Sequence, residues 1–263
     1  MSTFNGMYHR IKKHGKIISP RGQKTLEIEN AVTVFQPYER FANFPSRKLS
    51  LNYVREELLW YLKGDREDLS ICDSAKLWRE MITDGKINSN YGHAIFRQKQ
   101  LDYAVDCLTK DPDSRRALIV ILDREHLYPE NKDVPCTVSL SFRIRDDKLC
   151  ATAHMRSADA IYGTGNDIPF FSFVQECVLT YLNSRFTVPF GMGTLTLFAE
   201  SLHVYEKHWQ MLEKLLVESP APVDCPKLSG VREIEYLRHG GTLQGADPHY
   251  KFTGWLYTRE TKK

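Results

Sequence analysis

Residues 137–182 read TVSLSFRIRDDKLCATAHMRSADAIYGTGNDIPFFSFVQECVLTYL and change character twice. Thr137 to Arg145 and Leu149 to Met155 are rich in β-forming residues, and Asp146-Asp147-Lys148 between them predicts a hairpin. Ile168 to Leu182 is a long apolar segment, which predicts a buried central helix. Strands and helices are mixed along the chain without a regular βαβ alternation. The pattern therefore favours an α+β fold, with helices packed on a mixed, largely antiparallel sheet.

The segments on either side extend this pattern. Asn52 to Lys63 has apolar residues at helical spacing and is followed by Gly64, which predicts an amphipathic helix with Asn52 as its cap. Further helices are predicted at residues 74–83, 98–109 and 205–217, and further strands at 116–122 and 193–199. No internal repeat, low-complexity tract or Gly/Ser linker interrupts the chain. We therefore expect one domain over residues 1–263, with frayed, charged ends.

The composition is that of an ordinary globular protein. With 263 residues, 42% of them hydrophobic and 26% charged, the chain can bury a substantial core, which excludes disorder and fibrous repeats. Lys and Arg total 36 against 33 for Asp and Glu, and the resulting net charge of +3 is too small to indicate a nucleic-acid-binding surface. We expect no nucleic-acid partner, and any preference for anions must be local.

The cysteines and histidines are scattered. Six cysteines without a CxxC pair indicate reduced thiols and a cytoplasmic location. The N-terminus has no apolar signal segment, and no run of 18 apolar residues occurs, so no membrane contact is expected. The closest pair of the nine histidines, His203 and His208, is five residues apart, where one helical face needs three or four. No metal site is therefore expected.

Cys136 is a candidate nucleophile, because it follows Pro135 between a polar loop and a predicted strand. Catalysis by cysteine requires thiolate, and an ordinary thiol with a pKa of about 8.5 is mostly protonated at neutral pH. A nearby cation is therefore needed. Taken by itself, the residue fits an inert buried thiol better than a nucleophile.

Charged groups elsewhere have similar dual interpretations. Arg115-Arg116 and Arg156-Ser157 are donors that suit phosphate oxygens, but taken singly each pair is better explained as a solvated strand end. Asp159 and Asp167 bracket a glycine-bearing loop, where polar groups lie close to a flexible backbone. Asp167 could equally be the N-cap of the central helix.

The order of these groups along the chain is more informative than any one of them. From about Thr25 to His208 the sequence resembles the thymidylate synthase superfamily. The motifs that carry the resemblance are Glu57-Leu58-Leu59-Trp60, Trp78, Asn90-Tyr91-Gly92, Asp111-Pro112-Asp113-Ser114-Arg115-Arg116, Pro135-Cys136, Arg156-Ser157-Ala158-Asp159, Gly163, Asn166-Asp167 and His203-Val204-Tyr205.

Several details resemble the phage-type deoxycytidylate hydroxymethylase branch of that superfamily. Residues 87–92 (INSNYG) look like that branch, and Thr137 and Met155 stand where thymidylate synthases usually carry His and Gln. Asp167 lies eight residues after Asp159, at the position of the Asn that reads uracil in thymidylate synthases. The resemblance implies a folate-dependent enzyme that acts on dCMP.

The resemblance also implies roles at the reacting centre. Cys136 would attack C6 of the base, with its pKa lowered by Arg156. Glu57 would be a general acid and base, and Tyr91 would assist removal of the C5 proton. The co-substrate would be 5,10-methylenetetrahydrofolate, bound by Trp78, Glu57, Asp159 and Gly163.

The remaining implied roles concern the nucleotide. Its 5′-phosphate would be bound by Arg21, Arg156 and Ser157, and by Arg115 and Arg116 of the partner subunit in a homodimer formed through a sheet face. Asn166 would contact the substrate, and His203 and Tyr205 would bind the sugar 3′-hydroxyl.

Asp167 is the predicted base reader. Uracil presents an N3–H donor beside an O4 acceptor, whereas cytosine presents an N3 acceptor beside an N4 amino donor. A carboxyl group that shares a proton with N3 can accept from the amino group, so both positions are satisfied. A buried unmatched group costs about 1–3 kcal/mol, which is enough to select the base.

The last step leaves alternatives open. Water addition would give 5-hydroxymethyl-dCMP, whereas hydride from folate would give a methyl group. Thymidylate synthases end in an apolar tail that keeps water out, and the polar stretch from Tyr257 to Lys263 is expected to favour water. A dCMP methyltransferase, a CMP hydroxymethylase and a non-catalytic nucleotide- or RNA-binding relative stay as alternatives. For a phage protein, the location would be the host cytoplasm.

Overall fold

A computed structural model describes residues 1–260 and is built around one seven-stranded sheet. Its strands run in the order β1-β2-β7-β5-β4-β3, and β6 pairs with β7 beside this path. Their bounds are β1 (Lys16–Ile18), β2 (Thr25–Phe35), β3 (Leu118–Val120), β4 (Thr137–Arg145), β5 (Lys148–Met155), β6 (Ala158–Asp159) and β7 (Gly191–Tyr205).

The sheet is mixed and largely antiparallel, which confirms the predicted fold class. Only β5–β7 and β6–β7 are parallel among the pairs of the described residues. The predicted hairpin is present as β4 and β5. Its turn consists of Asp146 and Asp147, which both have positive φ, 49° and 55°. Such backbone angles match a two-residue turn between twisted strands, so Lys148 already belongs to β5.

The α-helices cover both predicted and unpredicted segments. Their bounds are α1 (Thr3–His14), α2 (Leu51–Lys63), α3 (Ile71–Ser74), α4 (Leu77–Met81), α5 (Gln100–Lys110), α6 (Gly163–Asn183), α7 (Trp209–Leu215), α8 (Val231–Arg238) and α9 (Lys251–Tyr257). Short 3₁₀ turns occupy Pro20–Gly22, Arg124–His126 and Glu206–His208, and a π-helical turn occupies His93–Arg97.

Ser50, and not the predicted Asn52, is the N-cap of α2, because its side chain accepts from the Tyr53 backbone N–H. Three other predicted helices differ clearly from their predicted form. The one predicted at 74–83 is two short helices, α3 and α4, because the backbone is extended at Ala75. The one predicted at 205–217 is shorter, since β7 continues to Tyr205. The central helix begins at Gly163, so Asp167 lies inside α6 and is not its N-cap. Pro169 is likewise interior and leaves the Gly165 carbonyl without its usual i+4 donor.

The N-terminus is ordered, which corrects the expectation that it frays. In α1 the apolar residues Phe4, Met7, Tyr8 and Ile11 follow helical spacing and are buried. The helix packs on β2, a strand that the sequence pattern did not predict. At the other end, Asn52 of α2 pairs with both backbone groups of Glu260. The last residues of the expected polar tail, 261–263, lie outside the described part of the chain.

Close packing between α2 and the segment after it positions a pair of tyrosines. A Cβ atom at Gly92 would lie 1.6 Å from the carbonyl oxygen of Tyr61, so only glycine fits there. The approach lets Tyr91 stack on Tyr61 with ring centroids 5.4 Å apart. Between residues 1 and 260, no helix is both long and apolar enough to cross a membrane.

Candidate active site

Cys136 lies at the end of the loop that leads into β4, and Arg156 at the end of β5 holds that loop. The guanidinium group of Arg156 donates to the carbonyl oxygens of Val134 (2.6 Å) and Pro135 (3.0 Å) and lies 3.7 Å from the Cys136 sulfur. The backbone N–H of Arg156 donates to the Cys136 carbonyl oxygen over 2.9 Å. One arginine therefore fixes both the backbone and the sulfur of this cysteine.

The charge environment of Cys136 differs from the prediction. Burial raises the pKa of its thiol, and this effect outweighs the nearby Arg156, which lowers the pKa as predicted. The carboxylates of Asp167 and Asp133 raise the pKa further, and Arg21 lowers it. The pKa of the thiol therefore stays raised, although the Arg156 guanidinium group lies beside the sulfur.

Asp167 projects from the first turns of α6 into the same region. Burial, together with the charges of Glu57 and Asp159, holds the pKa of its carboxyl group well above the ordinary value. Gly163 leaves space beside it, because a Cβ atom there would lie 3.3 Å from Asp159 Cβ and 3.8 Å from Asp167 Oδ2. The raised pKa favours the protonated form of this carboxyl group, which can both donate and accept a hydrogen bond.

Glu57 of α2 is the second buried carboxyl group. It accepts a hydrogen bond from the hydroxyl of Tyr53 (2.6 Å), one helical turn earlier, and that hydroxyl accepts from the indole N–H of Trp78 (3.0 Å). Burial raises the pKa of Glu57 to about 7, although the Tyr53 bond and Arg47 act in the opposite direction. A group with this pKa can take up or release a proton at neutral pH.

Asp159 and His203 are neighbours across the pair β6–β7. They are register partners, and the His203 ring lies edge-on to Tyr205 with centroids 5.1 Å apart. Burial lowers the pKa of His203, while the Asp159 carboxylate raises it, so the neutral ring dominates at neutral pH. Asp159 accepts from the Ile161 backbone N–H (3.0 Å), which fixes its side chain at the start of the loop before α6.

Tyr91 completes the buried side of the site. Burial and the charges of Asp167 and Cys136 raise the pKa of its hydroxyl. Because the charges of Asp167 and Cys136 both act on the Tyr91 hydroxyl, these three side chains lie in one region of the molecule.

Comparison with known sequences agrees with this geometry. The sequence profile of the thymidylate synthase family matches residues 2–239, which is most of the chain. The chain belongs to the thymidylate synthase family. This family comprises one-carbon transferases that act on nucleotides, and the chain is an enzyme of that type.

Similar members of the thymidylate synthase family include phage enzymes with two different names. The deoxycytidylate 5-hydroxymethyltransferase of Enterobacteria phage T4 is 30% identical over 216 residues, which cover 77% of this chain and 85% of the phage protein. The deoxyuridylate hydroxymethyltransferase of Bacillus phage SP01 is 29% identical over 213 residues, 74% of this chain and 54% of its own.

The other predicted site residues of this thymidylate synthase family member lie around the buried cluster. Arg21 is exposed and has left-handed backbone angles, and its charge reaches Cys136 and Tyr205. Ser157 follows Arg156 and is half-buried. Trp78 is half-buried and packs on Trp60 with ring centroids 5.2 Å apart.

Arg115 and Arg116 are not brought into this cluster. Both are exposed just before β3, and the charge of Arg116 acts on Tyr103 of α5. Within residues 1–260, the charged groups that act most on Cys136 do not include them.

Asn166 faces a residue that the sequence analysis missed. Its side-chain oxygen accepts from the buried Arg47 guanidinium over 2.7 Å, and Arg47 also donates to the Ile161 carbonyl oxygen over 2.8 Å. Gly165 is required here, because a Cβ atom would lie 2.5 Å from Arg47 Nη2. Arg47 thus holds the backbone that presents Asp167. The only feature of the sequence that could have indicated Arg47 is its basic side chain ten positions before Glu57.

A second unpredicted pair ties the cysteine loop to the tyrosine segment. Asp133 is buried three residues before Cys136 and accepts from both the backbone N–H (2.7 Å) and the hydroxyl of Ser89. Burial raises the pKa of this carboxyl group, whereas its Ser89 bonds lower it. The apposition of residues 88–91 and 131–136 comes from the tertiary fold and has no local sequence signal.

Proposed function

We propose that the enzyme is a dCMP 5-hydroxymethyltransferase. It transfers a one-carbon unit from 5,10-methylenetetrahydrofolate to C5 of dCMP, and water completes the reaction to give 5-hydroxymethyl-dCMP. The observation that carries the proposal is the position of Asp167, a half-buried carboxyl group of α6 that acts on both Cys136 and Tyr91 and whose pKa lies well above its ordinary value. Its proton donates to cytosine N3 while its other oxygen accepts from the N4 amino group.

The reaction begins at Cys136. Its sulfur adds to C6 of the base as the thiol proton is released, which makes C5 nucleophilic. C5 then bonds to the one-carbon unit, and Tyr91 assists removal of the C5 proton through water. Departure of tetrahydrofolate leaves an exocyclic methylene group. Water adds to that carbon, its extra proton is released, and the bond between sulfur and C6 breaks.

Glu57 supplies the proton transfers around the base. With a pKa of about 7, it exchanges a proton with ordered water at little cost. The hydrogen bond from Tyr53 keeps its carboxyl group in one orientation during these transfers.

The residues on the open side of Glu57 fit a folate. The pterin is a flat heterocycle with N–H donors, and the half-buried Trp78, which is linked to Glu57 through the Tyr53 hydroxyl, offers it an aromatic face. Gly163 leaves room next to Asp159. The bound folate supplies the one-carbon unit at the oxidation level of formaldehyde.

The phosphate and sugar lie on the β7 side of the cysteine. Arg21, Arg156 and Ser157 bind the phosphate. Asn166 contacts the substrate from the segment that its hydrogen bond with Arg47 holds in place. Arg115 and Arg116 of the partner subunit complete the phosphate site in a homodimer. The exposed valines Val32 (46%) and Val34 (45%) on β2 suit such a sheet-to-sheet interface.

Product analysis tests the proposed reaction. The protein is incubated with methylenetetrahydrofolate and dCMP, dUMP or CMP, and the nucleotide product is identified by mass spectrometry. We expect a hydroxymethyl adduct of dCMP, none with the Cys136→Ala variant, and no dihydrofolate. Preference for dUMP, which the name of the SP01 relative makes the main competitor, would refute the assignment of Asp167. A methyl product with dihydrofolate would refute water as the final nucleophile.

A further inference from the structure

Three side chains on β2 and β7 form a chain of hydrogen bonds that no role described above uses. Glu27 and His203 are register partners, and Ser201 lies two residues before His203, so the three share one face of the sheet. The Ser201 hydroxyl hydrogen-bonds to Glu27 Oε1, and its oxygen lies 3.3 Å from Nδ1 of His203. His203 is buried, and the other two residues are half-buried.

The proton positions in this chain follow from what each group can donate. An ionised carboxylate only accepts, so the single Ser201 proton points to Glu27. The Ser201 oxygen can then only accept from His203, which requires a proton on Nδ1. In the neutral ring, Nε2 is left as an acceptor.

We propose that Glu27 and Ser201 are positioning residues that fix His203 as its Nδ1–H tautomer, so that Nε2 accepts a hydrogen bond from a sugar hydroxyl of the nucleotide. The tautomer follows from the free protein alone, whereas the sugar contact rests on the proposed function. Among the described residues, no protein group hydrogen-bonds to Nε2. The site therefore selects a nucleotide whose 3′ position carries a hydrogen-bond donor, and it disfavours 3′-deoxy and 3′-phosphorylated nucleotides.

Nitrogen NMR of histidine-labelled protein tests the tautomer without any substrate. The His203 signals are assigned by their loss in His203→Gln. At pH 7.5 we expect a protonated Nδ1 in the wild type and in Ser201→Thr, and a shift towards protonated Nε2 in Ser201→Ala. Glu27→Leu should shift the ring in the same direction, and Glu29→Leu, which changes the neighbouring exposed carboxylate, should not. A protonated Nε2 or a charged ring in the wild type would overturn the proposal.

Kinetics test the sugar contact. For dCMP, Ser201→Ala should raise KM about five-fold with little change in kcat, which is the size expected for one neutral hydrogen bond. For 2′,3′-dideoxy-CMP, the same variant should leave KM unchanged. An equal rise for both nucleotides would reject the selectivity and indicate a structural defect. If the wild type turns over neither nucleotide, the proposed function fails, while the NMR result still decides the tautomer.

Discussion

Glu57 shows how one residue can be set for proton transfer by its surroundings. Its carboxyl group lies in the interior beside α6, where the charged form loses the solvation of water. The hydrogen bond from Tyr53 and the charge of Arg47 compensate only in part, so the pKa rises to about 7. Ionisation of this buried group lowers the free energy of unfolding, and that effect can be measured independently of catalysis.

Replacing Glu57 by Gln should change how stability depends on pH. Between pH 4.5 and 7, the unfolded chain releases this proton while the folded chain retains it, so stability falls as pH rises through this range. The variant has no proton to lose and should gain up to about 3 kcal/mol relative to the wild type between pH 4 and pH 8. Urea unfolding at several pH values measures the difference. A parallel course of the two curves would contradict the shifted pKa.

Base selection is also expected to depend on a single residue, Asp167. Asp167→Asn removes the shared proton and provides an amide that matches uracil, so preference should move from dCMP towards dUMP. A mismatch of about 1–3 kcal/mol corresponds to roughly a 5- to 150-fold change in the ratio of kcat/KM values. Asp106→Asn, an exposed acid on α5, is the matched control. An unchanged dCMP preference would show that another group reads the base.

At the scale of elements, the contact between Asp133 and Ser89 joins two loops that carry reacting groups. The Asp133 charge also raises the pKa of the Cys136 thiol. Asp133→Asn should therefore lower that pKa and speed alkylation of Cys136 by iodoacetamide at pH 7.5. Mass spectrometry of the modified peptide follows the rate, with the exposed Asp113→Asn variant as the control. Slower alkylation would mean that the loop has moved and that its position dominates over the charge.

The sequence predicted those helices and strands in which apolar residues recur at the spacing of the element. The strands of the 137–155 hairpin largely alternate between buried and partly exposed residues, and α2 carries one apolar face, so both were recognisable. The start of α6 was not, since tertiary hydrogen bonds from Arg47 organise residues 161–166. The main site residues could be predicted because their motifs occur in the same order as in a known family. Tyr53, Ser89 and Asp133 could be identified only from their contacts in the three-dimensional structure.

At the scale of the whole molecule, the proposed phosphate site requires two chains. Cys136→Ala lacks the nucleophile, and an Arg115→Ala/Arg116→Ala double variant lacks the arginines, so each should be nearly inactive alone. When they are denatured together and refolded in equal amounts, half of the dimers are mixed and half of the sites in those are intact. About one quarter of wild-type activity should return. No recovery, with dimers present by light scattering, would place the arginines in their own chain's site.

The pairing of β2 with β7 has a consequence for how the protein is made. Thr25 lies opposite Tyr205, and Glu27 lies opposite His203. Strand β2 is therefore synthesised early but cannot pair with β7 until β7 has been synthesised. Pairing over such a sequence distance closes a very long loop and is slow compared with helix formation. A nascent chain that has emerged only to the end of α6 already holds Cys136, Arg156 and Asp167 but lacks the strand that completes the sheet. The proposed nucleotide site is therefore expected to form only after β7 has been synthesised, and until then one edge of β2 is open to wrong partners.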